Sequence, residues 1–126
     1  MRVLLIDDEE DFVATLAERL KLRGIDAEWA SSAENGLQLV ESGGRYDIAV
    51  LDVKMPKIGG LDLKKKIQTL LPATKFIFLT GHGSEADFIA GQSISAYYLI
   101  KPVRIDDLIE KMKNALAREE GDHADE

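Results

Sequence analysis

Four short apolar runs in this chain each end in residues able to do chemistry. Asp7-Asp8 follow Val3–Ile6, Asp52 follows Ile48–Leu51, Thr80 follows Phe76–Leu79, and Lys101-Pro102 follow Tyr97–Ile100. If those runs are neighbouring strands, three carboxylates, a hydroxyl and an ammonium meet at one mouth. Carboxylates held that close repel one another, so they must take up protons or share a cation. A hard divalent ion with oxygen ligands and retained waters, Mg²⁺ above all and otherwise one such as Mn²⁺, answers that need. Such an ion attracts phosphate, and phosphoryl transfer requires charge to be neutralised on the equatorial oxygens. Lys101 would supply a point charge there and Thr80 a neutral hydrogen bond. Asp52 then reads as a nucleophile able to become an aspartyl phosphate.

The elements that must position these residues follow from the hydrophobic pattern. Val3–Ile6, Ile48–Leu51 and Phe76–Leu79 are nearly continuous apolar runs, as expected of strands covered on both faces. Asp26–Ala30 alternates polar and apolar residues, which suits an edge strand with one wet face. Between the strands lie segments of helical period. The first repeats Phe12, Leu16 and Leu20 and stops at Gly24. The second opens on Ser31 with Glu34 three residues on, a capping box, and ends at Gly43-Gly44. The third follows Gly59-Gly60, is expected to bury Leu63, Ile67 and Leu70, and is stopped by Pro72. The fourth, Ser84 to about Gln92, is short and weak, with Gly91 in its last turn. The fifth sets Ile105, Leu108, Ile109, Met112 and Leu116 on one stripe. Five strand–helix units predict an α/β fold: a doubly wound, five-stranded parallel sheet with helices on both faces. The flavodoxin-like order 2-1-3-4-5 fits best, with ligands outside the carboxyl ends of the strands where the order reverses.

With those motifs in sequence, the chain resembles the response regulator receiver domain of bacterial two-component systems. The resemblance is carried by Asp7-Asp8, by Asp52-Val53-Lys54-Met55-Pro56 followed by Gly59-Gly60, by Thr80-Gly81-His82, and by Tyr98-Leu99-Ile100-Lys101-Pro102. It covers residues 2 to 118, so a receiver domain over 1–118 and an acidic tail or linker stub over 119–126 are expected. The resemblance implies that Asp52 is the phosphoacceptor, supplied by a histidine kinase or phosphotransfer protein. It implies that Asp8, Asp52 and the backbone carbonyl of Lys54 bind the metal directly and Asp7 through a water. Thr80 and Lys101 would hold phosphoryl oxygens, Tyr98 would be an aromatic switch, and the bond before Pro102 would be cis. The output would be a change on the face built from the fourth helical segment, the fifth strand and the fifth helix. Two departures fall on that output region. The chain reads Ile94-Ser95 where most receivers carry a Gly-Ala pair, and the stretch from Thr80 to Lys101 is one residue short of the family's usual spacing.

Other residues have plainer readings. Glu9, Glu10 and Asp11 suit the start of a helix, where acids oppose the positive end of the dipole. Lys64, Lys65 and Lys66 read as the wet face of the third helix, and His123 belongs to the tail. The net charge is −7, and five acids after Arg118 account for most of it. From Gly121 onward a frayed, solvated tail is expected. No basic excess supports direct nucleic-acid binding. The absence of cysteine excludes disulfides and thiol nucleophiles, and no run is long enough for a membrane span. A cytoplasmic location is therefore the default expectation. A haloacid-dehalogenase-like phosphatase also uses an aspartyl nucleophile, but needs an acid two residues later, where this chain has Lys54. A flavin-binding module needs a hydroxyl- and glycine-rich phosphate loop where Asp7 to Asp11 stand. Stand-alone signalling through a docked protein, an output domain in a longer regulator, a place in a hybrid kinase, and homodimerisation on phosphorylation all remain open.

Overall fold

The computed structural model describes the backbone of residues 1–81 and 97–125, with side chains described as far as residue 117. Its elements run β1 (Arg2–Ile6), α1 (Glu10–Leu22), β2 (Asp26–Ala30), α2 (Ala33–Glu41), β3 (Ile48–Asp52), α3 (Gly60–Leu70), β4 (Lys75–Thr80), β5 (Tyr98–Ile100) and a C-terminal helix (Ile105–Asp125). The strands form one parallel sheet in the order β2-β1-β3-β4-β5, the doubly wound arrangement expected from the pattern. The expected fourth helical segment lies outside the described residues, as do His82, Gly91 and the Ile94-Ser95 departure.

Period two divides the strand residues between two cores. Val3, Leu5, Ile48, Val50, Ile77 and Leu79 face α1 and the C-terminal helix, meeting Leu16, Leu20, Leu108 and Met112. Leu4, Ile6, Ala49, Leu51, Phe76 and Phe78 face the opposite side, against Val40, Leu63 and Ile67. Each fully buried Leu or Ile contributes about 1.5–3 kcal/mol, so the central strands anchor the molecule. At the foot of the sheet Arg2 pairs with Asp26 at 3.3 Å and with Glu28, and lies over the Tyr46 ring. Tyr46 donates to Glu28, and burial first, then that carboxylate, push its phenol up to about 12.

Local details differ from the sequence expectation in three places. The residue capping α2 is Ser32, not Ser31: it has extended backbone and its hydroxyl accepts from the Asn35 amide at 3.1 Å. Leu70 is 48% exposed rather than buried. At about 100° per residue, the buried residues Gly60, Leu63, Lys64 and Ile67 centre their arc on the side that Leu71 continues. Leu70 falls at the margin of that arc, and Leu71 packs on the core in its place. Finally, the C-terminal helix carries its backbone through to Asp125, where a frayed tail was expected from Gly121. No proline follows residue 102 to stop it, although Gly121, Asp122 and His123 are weak helix formers.

Candidate functional site

The site grows from chain ends that overrun their strands. Beyond β1, the Asp7 amide still donates to the Ala30 carbonyl at 3.2 Å, holding the chain extended for one more residue. The Asp7 carboxylate then accepts from the Glu9 amide at 2.9 Å, turning the chain into α1. Asp7 is thereby buried, while Asp8 is exposed. Asp52 closes β3 and is 5% exposed. The Val53 amide donates to the Leu79 carbonyl at 2.9 Å, and the Lys54 amide approaches Asp52 Oδ1 at 3.4 Å. α3 starts hard against this strand end: a Cβ at Gly60 would come within 2.4 Å of the Asp52 carbonyl oxygen. At the other side of the sheet, Lys101 donates its amide to the Thr80 carbonyl at 2.8 Å, and the Lys101–Pro102 bond is cis.

Period two then decides which side chains meet. Asp7 follows Val3 and Leu5, Asp52 follows Ile48 and Val50, and Lys101 follows Leu99, all on the α1 face of the sheet. Carboxylate oxygens of Asp7, Asp8 and Asp52 lie within 4.8 Å of one another, the one such group among the described residues. The Lys101 ammonium sits among them, 2.9 Å from Asp7 Oδ2 and 3.7 Å from Asp52 Oδ1. It also contacts Glu9 Oε1 at 2.6 Å and lies 4.9 Å from the centre of the Phe12 ring. Thr80, fully buried, follows Phe76 and Phe78 on the opposite face, and Tyr98 packs on that same face, half-buried. In register Tyr98 stands opposite Phe78, which makes Thr80 its diagonal neighbour. Tyr97 points the other way and donates to the Asn114 carbonyl.

The electrostatics follow from this crowding. Burial, and after it the neighbouring Asp7 charge, push Asp52 up to about 7, and the hydrogen bond with Asp8 adds to the rise. Burial also raises Asp7, against the pull of Lys101. For Lys101 burial opposes the charge, but its hydrogen bonds to Glu9 and Asp7 and the nearby carboxylates outweigh it and raise the ammonium. The site as it stands is therefore an anionic cup with one cation wedged at its edge. An added divalent cation fits such a donor set, because its charge stabilises carboxylates that burial and mutual repulsion disfavour.

Of the residues singled out from the sequence, Asp7, Asp8, Asp52 and Lys101 converge here, while Thr80 and Tyr98 stand on the opposite face of the sheet. Sequence reasoning missed Glu9 and Phe12 as neighbours of Lys101, having assigned one to helix-start bias and the other to core. Beside the cup, Asp8, Ser31 to Glu34 and Met55 to Ile58 line a cleft of about 200 Å³. No helix among the described residues is long and apolar enough to cross a membrane.

Known proteins place these features in context. The model of the response regulator receiver domain family matches residues 3–113. Over 118 residues the chain is 33% identical to the transcriptional regulatory protein CpxR of Escherichia coli, covering 93% of this chain and 50% of that protein. The chain thus spans about half the length of the curated relatives it matches. Among solved structures, a response regulator receiver domain protein from Clostridium thermocellum superposes with a TM-score of 0.82 at 32% identity, covering 94% of this chain and 96% of that one. The response regulator protein TrrA of Thermotoga maritima, solved in complex with Mg²⁺-BeF, gives a TM-score of 0.77 at 31% identity, covering 90% and 97%.

Proposed function

The chain belongs to the response regulator receiver domain family, and on that premise we propose that Asp52 accepts a phosphoryl group from a histidine kinase or phosphotransfer protein. The observation that carries this reading is the convergence of Asp7, Asp8 and Asp52 around the Lys101 ammonium at the switch point of the sheet. An Asp52 carboxylate oxygen attacks phosphorus, a P–O bond forms, and the bond to the donor's imidazole nitrogen breaks. Lys101 and Thr80 then hold phosphoryl oxygens, the lysine as a charge and the threonine as a hydroxyl donor. Asp8, Asp52 and the carbonyl of Lys54 would hold Mg²⁺ or a similar divalent cation, with Asp7 acting through a water. That ion would neutralise charge on the phosphoryl oxygens. Asp52 is raised to about 7, and a bound cation would favour its ionised, nucleophilic form.

The output follows from Thr80 and Tyr98 sharing a face. Movement of Thr80 toward the phosphoryl group vacates space on that face, and Tyr98 turns inward to fill it. This shifts the population of β5, the segment before it and the C-terminal helix. The domain is a signalling module rather than an enzyme with a separate substrate, acting in the cytoplasm. Its readout is an output domain in a longer regulator, as the half-length match to CpxR favours, or a protein docked on the same face.

Acetyl phosphate should label the protein with one acid-stable, base-labile phosphoryl group in the presence of Mg²⁺. Asp52→Asn should abolish labelling, because an amide is no nucleophile toward phosphorus. Undiminished labelling of Asp52→Asn would place the acceptor elsewhere.

A further inference from the structure

The geometry points to Glu9 as a positioning residue that restrains Lys101 in the resting domain and must release it when the acceptor is loaded. This inference rests on Asp52 being the phosphoacceptor. Three observations carry it. The Lys101 ammonium lies 2.6 Å from Glu9 and 2.9 Å from Asp7 but 3.7 Å from Asp52, so its shortest contact is with Glu9 and its longest with the acceptor. The lysine is largely enclosed, 16% exposed over the Phe12 ring, so it shifts within a confined volume. Glu9 stands at the N-cap of α1 yet makes no side-chain capping bond there. Its carboxylate goes to Lys101, from a residue 92 positions away in the chain.

A phosphoryl group on Asp52 brings oxygens into the space between Asp52 and Lys101. To bond them the ammonium must move toward Asp52, and its contact with Glu9 lengthens. The Glu9–Lys101 pair therefore stabilises the unloaded state selectively. By the logic of differential binding, it sets how readily the acceptor is occupied. Because Glu9 is 61% exposed, solvent weakens the pair, and the effect belongs in the range of a moderate ion pair.

The test compares wild type, Glu9→Gln and Glu10→Gln, with Mg²⁺ present throughout. Two quantities are read: the affinity for beryllofluoride, a mimic of the aspartyl phosphate, and the initial rate of labelling by acetyl phosphate. Glu9→Gln should bind beryllofluoride about three- to fivefold more tightly and label correspondingly faster. Glu10→Gln removes the same charge from the next position and should stay within about twofold of wild type. A gain of affinity is a result that structural damage does not produce. Glu9→Ser, which puts a preferred N-cap residue at the helix start, guards against loss of folding and should show the same gain. Equal gains in the Glu9 and Glu10 variants would reduce the effect to bulk charge and overturn the restraint. Wild-type affinity and rate in both Glu9 variants would overturn it as well, while leaving Asp52 as acceptor. A wild-type protein that acetyl phosphate does not label at Asp52 would instead remove the phosphoacceptor reading beneath it.

Discussion

At the scale of single residues, burial and crowding give Asp52 an unusual linkage to stability. Its folded-state value of about 7 stands well above the ordinary 3.8. Between those values the folded protein holds a proton that the unfolded chain releases, so stability falls as pH rises. The contribution is fully present below the unfolded value and is lost as pH climbs through about 7. Without metal, Asp52→Asn should therefore be more stable than wild type at pH 8, by on the order of 2 kcal/mol. The advantage should shrink toward pH 5. Urea melts of both proteins in chelator at pH 5, 6.5 and 8 measure the difference, and taking it between the two proteins cancels the carboxylates remote from Asp52. A difference that grows toward acid would show that Asp52 is not raised. The position of Asp7, Asp52, Thr80 and Lys101 at strand ends was legible in the sequence because each directly ends an apolar run, with Asp8 next in line. Glu9 was not legible. Its partner is 92 positions distant, and an acid at a helix start has an adequate local explanation.

At the scale of elements, strands and helices were legible wherever hydrophobic period and punctuation agreed. They were misjudged where neighbouring positions competed. Ser31 and Ser32 both suit a cap, and sequence cannot see which one has the extended backbone that α2 requires. Leu70 lost its expected burial to Leu71 through a rotation of the buried arc that only packing sets. The consequence is measurable: Ile67→Ala should cost about 2–4 kcal/mol, whereas Leu70→Ala should cost under about 0.5 kcal/mol. The junction of β3 with α3 makes a sharper case. A methyl at Gly60 would lie 2.4 Å from the Asp52 carbonyl oxygen and 3.0 Å from the Val53 Cα, both backbone atoms with no rotamer to yield. Gly60→Ala should therefore push α3 off the strand end despite alanine's better helix propensity, with a net loss of about 1–3 kcal/mol. Gly81, where an added Cβ would meet nothing within 4 Å among the described residues, is the control and should tolerate alanine far better. Thermal melts decide this, and labelling of Asp52 in Gly60→Ala should slow as the strand end shifts. Equal melting temperatures for the two glycine variants would show that the contact yields cheaply.

At the scale of the whole molecule, the topology was the most legible feature, because five alternating units leave few ways to cover a parallel sheet. That topology imposes an electrostatic cost. A chain of net charge −7 gathers Asp7, Asp8 and Asp52 at one point, answered by a lysine that is shared with Glu9. Unfolding separates these carboxylates, so the unfolded chain offers no comparable site for a divalent ion. A cation that binds the folded state alone stabilises it by mass action, about 2.7 kcal/mol at a hundredfold excess over Kd. Millimolar Mg²⁺ should accordingly raise the melting temperature by several degrees, and Asp8→Ala should remove most of that rise. Asp8 is the informative position: it is exposed and, unlike Asp7, makes no ion pair with Lys101, so its loss should leave the metal-free fold nearly as stable as wild type. Simple screening of the −7 charge would also stabilise the protein, but Na⁺ at matched ionic strength would do the same. Site binding predicts a rise with Mg²⁺ that matched Na⁺ does not reproduce and that saturates with concentration. It also predicts that the raised Asp52 carboxyl falls on metal addition, so the pH dependence of stability should flatten in Mg²⁺. If Na⁺ and Mg²⁺ raise the melting temperature alike, and Asp8→Ala responds as wild type does, the acidic cup is not a metal site and its charges are balanced by Lys101 and protons.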